Sequence, residues 1–138
     1  MAVDPALSGM TLPATEPYEI TRTKIREFRQ AIGDTTGADT KAPPTFPIVV
    51  AFSALQQLMA HPLAGMSLHR VVHGDQRFVQ SRPLTAGDVV TAQLTIDAVR
   101  QAGGADILKT RSEIVTAGGE HVCTAHATLV HRPEQPAG

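Results

Sequence analysis

Apolar and polar residues change rhythm along this chain, first at helical spacing and then by strict alternation. Tyr18 to Ile20 has the character of a short opening strand. Thr21 or Thr23 can cap a helix running through Ile32, with Ile25, Phe28 and Ile32 on one stripe, and Gly33 closes it. Ala42-Pro43-Pro44-Thr45-Phe46-Pro47 is a rigid entry to a second helix over residues 46–60, with Thr45 as N-cap. In that helix Val49, Phe52 and Leu55 face one way and Val50, Ala54 and Leu58 another. A helix apolar on nearly all sides has to be surrounded.

From Leu68 onward the pattern is extended. Residues 68–79 predict one strand, interrupted at Gly74 by a bulge or a close backbone approach, and ended by Arg82-Pro83. Ala86-Gly87-Asp88 supplies the next turn. Three further strands follow at 89–100, 105–116 and 121–131, joined at Gly103-Gly104 and Gly118-Gly119, which are hairpin signals. In the first of these three, Val90, Ala92, Leu94, Ile96 and Ala98 point one way while Thr91, Gln93, Thr95 and Asp97 point the other. That is a sheet with one covered face.

Composition narrows the function classes. The 138 residues, without an internal repeat, predict one domain over 1–138 with Pro-rich arms, extended or frayed, at 1–16 and 133–138. A formal net charge of -1 offers no basic field for nucleic acid. The single cysteine, Cys123, has no internal disulfide partner, and the N-terminus lacks a basic region followed by an apolar run, which points to the cytoplasm. The longest apolar stretch, residues 48–55, is too short to span a bilayer. No His or Cys pairing has the spacing of a zinc site, so no metal is expected. Neither Gly-Gly pair opens a helix, which disfavours a phosphate loop.

The order strand, helix, apolar helix and antiparallel meander is that of the hot-dog fold, an α+β domain whose antiparallel sheet wraps a central helix. The chain resembles the MaoC-like dehydratase family. Within it, the resemblance is to the N-terminal-type branch that holds the non-catalytic subunits of actinobacterial (3R)-hydroxyacyl-ACP dehydratases. The resemblance rests on Tyr18-Glu19-Ile20 with 24–28, Gly33-Asp34, 42–46, His73-Gly74-Asp75-Gln76-Arg77-Phe78, and Arg82-Pro83-Leu84 with Gly87-Asp88.

What it implies is reversible syn elimination of water from a (3R)-3-hydroxyacyl thioester of coenzyme A or acyl carrier protein, without a cofactor. The chemistry needs a base for the C2 proton, an acid for the leaving hydroxyl, and donors for the thioester oxygen. Active family members place an Asp and a His in a Gly-Asp-x-Asn-Pro-x-His motif after the first helix. Here Gly33-Asp34 match, Thr36 and Gly37 replace Asn and Pro, and Asp39 occupies the histidine position. The segment from Thr35 to Lys41 is also shorter than the family's, through a genuine deletion or through omission of residues from a mobile segment. Asp34 and His73 remain as catalytic candidates, and the resemblance puts His73 on a central strand near the pocket. Thr45, Phe46, His73, Gly74 and Gln76 are the candidate substrate-binding residues. His69, His121, His126 and His131 lack a partner acid at recognisable spacing and read as surface or packing residues. Arg70, Arg77 and Arg82 suggest either a modest basic rim or a solvated strand face.

The leading expectation is a hot-dog dimer with a separate catalytic MaoC-like chain, to which this chain contributes substrate binding. An autonomous homodimeric hydratase or thioesterase, or a non-catalytic acyl-thioester binding module, are the alternatives.

Overall fold

A computed structural model describes residues 3–133. A 3₁₀ turn at Pro5–Leu7 precedes β1 (Tyr18–Glu19), α1 (Arg22–Ala31) and α2 (Ile48–Ala60); a second 3₁₀ turn, Leu68–Arg70, leads into β2 (Val71–Gln80), β3 (Val89–Ala102), β4 (Ala105–Thr116) and β5 (His121–His131). The five strands form one sheet in the order β1-β3-β4-β5-β2. Every neighbouring pair is antiparallel.

The local chemistry explains most boundaries. Thr21 caps α1, its side chain accepting the Lys24 N–H, and Ile25 is the residue of α1 that is buried. Thr45 does not cap α2: the helix begins after Pro47, with no side-chain cap, because a backbone turn from Pro43 to Pro47 brings the chain in. Gly103 and Gly104 both have positive φ, 61° and 77°, the requirement of a two-residue type I′ hairpin, and Ala102 pairs directly with Ala105 across it. Leu68–Arg70, expected as strand, is instead the 3₁₀ turn that lifts the chain onto β5.

The core lies between α2 and the concave face of the sheet. Val50, Ala51, Ala54, Leu55 and Leu58 of α2 pack on the inward residues of β3 to β5, which include Leu94, Ile96, Leu108, Ile114 and Leu129. This is the hot-dog arrangement, a curled sheet around one helix. Two expectations need correction. A bulge at Asp97 shifts the β3 register, so the inward alternation stops at Ile96 and Ala98 is only half-buried. And α2 is not surrounded by its own chain, since Phe52 on its outer face is 43% exposed.

The N-terminal arm is extended and docked rather than frayed. Residues 9–15 hydrogen-bond along the outer edge of β3 through Gly9 to Ile96, Leu12 to Leu94 and Thr15 to Ala92. Val3, Leu7 and Leu12 are buried beneath it. The expectation for residues 134–138 lies outside the described residues. Among the described residues no helix is long and apolar enough to cross a membrane.

Candidate functional site

The residues with chemistry fall at two places. The first is a groove of about 570 Å³ between the start of α2 and β2, lined by Thr45, Ile48, His73, Gly74, Asp75, Gln76 and Phe78. β2 is an edge strand of this sheet, not a central one, so the groove opens at the sheet's free margin. The Gly74 bulge, which shifts register between His73 and Asp75, aims both His73 and Gln76 into it. Gln80, two turns of the pleat further along β2, donates to the Pro44 carbonyl at 2.6 Å and fixes the groove's width.

His73 Nε2 and Gln76 Oε1 lie 2.8 Å apart. A carboxamide oxygen only accepts, so the imidazole donates from Nε2 and leaves Nδ1 as a free acceptor. Gln76 Nε2, the amide's donor, is buried with no partner. Buried donors without partners are uncommon, and one aimed into a groove is suited to a carbonyl or thioester oxygen of a bound molecule. Of the five candidate binding residues, Thr45, His73, Gly74 and Gln76 line this groove. Phe46 does not: it is fully buried, its ring edge-on to Phe28 with centroids 5.3 Å apart.

Asp34 is not among the groove's lining residues and is not brought to His73. It sits in the turn after α1, where Oδ1 accepts the Thr36 N–H and hydroxyl, both at 2.9 Å. Those two bonds, with Arg29 nearby, outweigh partial burial and hold its carboxyl below the usual range. Asp39, which the resemblance aligns with the family's histidine, is clamped by Arg26 at 2.9 Å and Arg29 at 2.8 Å. The Arg26 hydrogen bond leads in keeping it ionised. Arg29 lies 3.7 Å from Asp34 as well, so one guanidinium ties both acids of the loop. Two carboxylates held below their usual range offer no group that gives up a proton near neutral pH.

Next to the groove, the outer face of α2 and the second 3₁₀ turn form an apolar trough of about 270 Å³ lined by Phe52, Gln56, Met59, Ala60 and Leu68. Leu63 and Val72, outside this trough's lining, are also more than half exposed.

The other candidates are accounted for by local partners. Arg82 pairs bidentately with Asp88 and with Glu120, which makes it a structural tie rather than a basic rim. Arg70 donates to the Arg132 carbonyl. Contrary to expectation, two histidines do have partner acids. His121 bonds to Glu113 and, through Nδ1, to Ser81 at 2.7 Å. This Ser, His and Glu relay stands on an exposed rim, and the Ser81 N–H that could stabilise an oxyanion is spent on Val122. Burial opposes ionisation of Glu113, but bonds from Thr124 and His121 prevail and hold it low. His131 bonds to Asp106 at 3.2 Å, each 1% exposed. Cys123 is buried, and that burial pushes its thiol up to about 11, which leaves it inert. No cluster of metal-ligating side chains occurs among the described residues.

Comparison with known proteins agrees with this fold. Residues 6–125 match the FAS1-like, dehydratase domain region family. A UPF0336 protein of Leifsonia xyli is 47% identical, covering 96% of this chain and 98% of its own length. A UPF0336 protein of Streptomyces coelicolor is 43% identical over 150 positions, more than this chain possesses, so that relative carries residues absent here; the match covers 99% of this chain and 100% of the relative. Among solved structures, the HadBC (3R-hydroxyacyl-ACP dehydratase) complex of Mycobacterium tuberculosis superposes with a TM-score of 0.76 at 30% identity, over 90% of this chain and 96% of the matched one. A MaoC-like dehydratase at 24% identity shares the fold with a TM-score of 0.75, over 91% of this chain and 42% of its own. The chain belongs to the UPF0336 proteins, within the FAS1-like, dehydratase domain region family.

Proposed function

We propose that this chain is the substrate-binding half of a cytoplasmic (3R)-3-hydroxyacyl-thioester dehydratase, docked against a MaoC-like chain that carries the proton-transferring Asp and His. The observation that carries this reading is the state of the loop at 33–39. Where proton transfer needs an imidazole, Asp39 stands instead, bound by two arginines. The scaffold is kept and its acid-base pair is not.

What remains suits binding. The unpartnered Gln76 donor and the free His73 Nδ1 complement the carbonyl and N–H groups of a thioester and its pantetheine arm. The neighbouring trough between α2 and the Leu68 turn is apolar enough for an acyl chain. The elimination itself, with loss of the C2 proton and departure of the hydroxyl as water, is assigned to the partner's Asp and His. Carriage by coenzyme A or by acyl carrier protein is compatible with the groove.

The test is hydration of a short and a long trans-2-enoyl-CoA by the purified chain, alone and after co-expression with a MaoC-like chain. Silence alone and turnover in the mixture are expected. Robust turnover by this chain alone, abolished by Asp34→Ala or His73→Ala, would overturn the accessory role in favour of an autonomous enzyme. In the active mixture, Gln76→Leu is expected to raise KM for the enoyl thioester several-fold, because its lost donor leaves one hydrogen bond to substrate unmade.

A further inference from the structure

The buried pair His131 and Asp106 takes no part in the groove, yet it holds the segment that supplies Leu68 to the apolar trough. His131 ends β5 and Asp106 opens β4, and the two are direct cross-strand partners. Each is 1% exposed. The imidazole is used on both sides. Its Nδ1 faces Asp106 Oδ2 at 3.2 Å, and its Nε2 receives the backbone N–H of Ser67 at 3.2 Å.

A backbone amide can only donate, so Nε2 has to be an acceptor and carry no proton. The ring is therefore held as the neutral Nδ1–H tautomer, which donates to Asp106. The carboxylate is satisfied from two further elements: the Val3 N–H of the N-terminal arm at 3.0 Å and the Gln101 amide of β3 at 3.2 Å. Beyond Asp106, the nearby cations are Arg132, next in the chain, and Arg70, whose guanidinium reaches the Arg132 carbonyl. From the 61–70 segment the Ser67 amide bonds the ring; the segment's own titratable groups are His61, whose Nδ1 accepts the Leu63 N–H, and His69.

We propose that His131 is a proton-sensitive latch on the 61–70 segment and, through Leu68, on the apolar trough. Protonation adds an N–H at Nε2, directly opposite the N–H of Ser67. Two donors then face each other across a part-buried contact, and the bond that holds the segment is lost. Asp106 keeps its bond to the charged ring, so the strand ends stay paired while the segment moves. Leu68 follows Ser67 in the chain and forms one wall of the trough, so release removes that wall. Its consequence for partner or acyl binding rests on the function proposed above; the latch itself does not.

Hydrogen exchange of the intact chain, followed by mass spectrometry between pH 7.5 and 5.5 and corrected for the intrinsic pH dependence, reads the latch directly. Protection of the 62–70 peptide is expected to fall by about tenfold, the effect of one lost part-buried bond and two opposed donors, while β4 peptides stay protected. His131→Gln, which does not titrate, is expected to remove that pH dependence. Should this variant fold poorly, ring-nitrogen NMR of the wild-type protein decides: His131 has to show the Nδ1–H tautomer near neutrality. Protection of 62–70 that is flat with pH, an equal loss in His131→Gln, or an Nε2–H ring would each overturn the latch. None of these outcomes depends on substrate or partner, so they leave the dehydratase reading to its own assay.

Discussion

At the scale of the residue, the consequence of Asp39 is testable in two directions. Restoring the family's residue with Asp39→His is expected not to confer hydratase activity on the isolated chain. The new imidazole would lie between Arg26 and Arg29, while Asp34 stays bound to Thr36. The same change is expected to lower the melting temperature, because it leaves Arg29 without its closest acid. A second residue-scale prediction concerns pH. Asp88 is held below its ordinary value of 3.8, first by the Arg82 hydrogen bond and also by the Thr85 N–H, against the opposing effect of burial. A carboxyl depressed in the folded state contributes stability that is present above its unfolded pKa and lost as pH falls through the folded one. Asp88→Asn is therefore expected to cost about 1 kcal/mol at pH 7 and progressively less below about pH 4, a difference that urea unfolding at several pH values measures.

Legibility also divides at this scale. The candidate groove residues His73, Gly74 and Gln76 were readable because they sit on a long extended run broken by one glycine. The acid partners of His121 and His131 were not. Counting back from the Gly118-Gly119 turn puts Asp106 opposite Val130; a bulge between Ile114 and Val115 moves it by one residue, onto His131. One residue of register also exchanges the two faces of a strand, so the buried pair was hidden by a feature with no sequence signature. Asp97 hides a similar bulge in β3.

At the scale of the element, the strands from β3 to β5 and both helices were legible to within about two residues, since alternation and turn glycines are local signals. What escaped was α2's exposure. Its apolar composition correctly marked it as the central helix, but composition cannot say whether the covering surface belongs to the same chain. The entry to α2 makes a stability prediction. Phe46 is fully buried against Phe28, so Phe46→Ala is expected to cost about 3–5 kcal/mol by the cavity it leaves, which would show as unfolding at a lower denaturant midpoint. Gly74 behaves differently. A Cβ there would meet Thr128 O at 3.6 Å and Val130 Cγ2 at 3.7 Å, ordinary contacts, and its φ is not in the left-handed region. Gly74→Ala is thus expected to leave stability within about 1 kcal/mol of wild type, so any loss of activity in the mixed assembly reports on the groove. Gly104→Ala, by contrast, has open space around it but a φ of +77°, and is expected to cost about 1–2 kcal/mol through backbone strain alone.

At the scale of the whole molecule, the exposed side of α2 and the β2 margin predict assembly. Phe52 lies on the trough and outside the core, so Phe52→Asp is expected to abolish association with a second hot-dog chain while the single chain stays folded. Light scattering coupled to size exclusion, with circular dichroism as the control, separates the two effects. An unchanged assembly would place the interface elsewhere.

The docked N-terminal arm has a consequence for stoichiometry. By occupying the outer side of β3, it leaves β2 as the long strand with an open flank among the described residues. Growth through strand addition therefore stops at a pair instead of continuing into a fibre. If the proposed pairing runs along β2, the choice of companion is exclusive: a second copy of this chain and a catalytic chain would compete for the same strand. The amount of paired enzyme would then follow the ratio at which the two chains are produced, and an excess of this one would draw on itself.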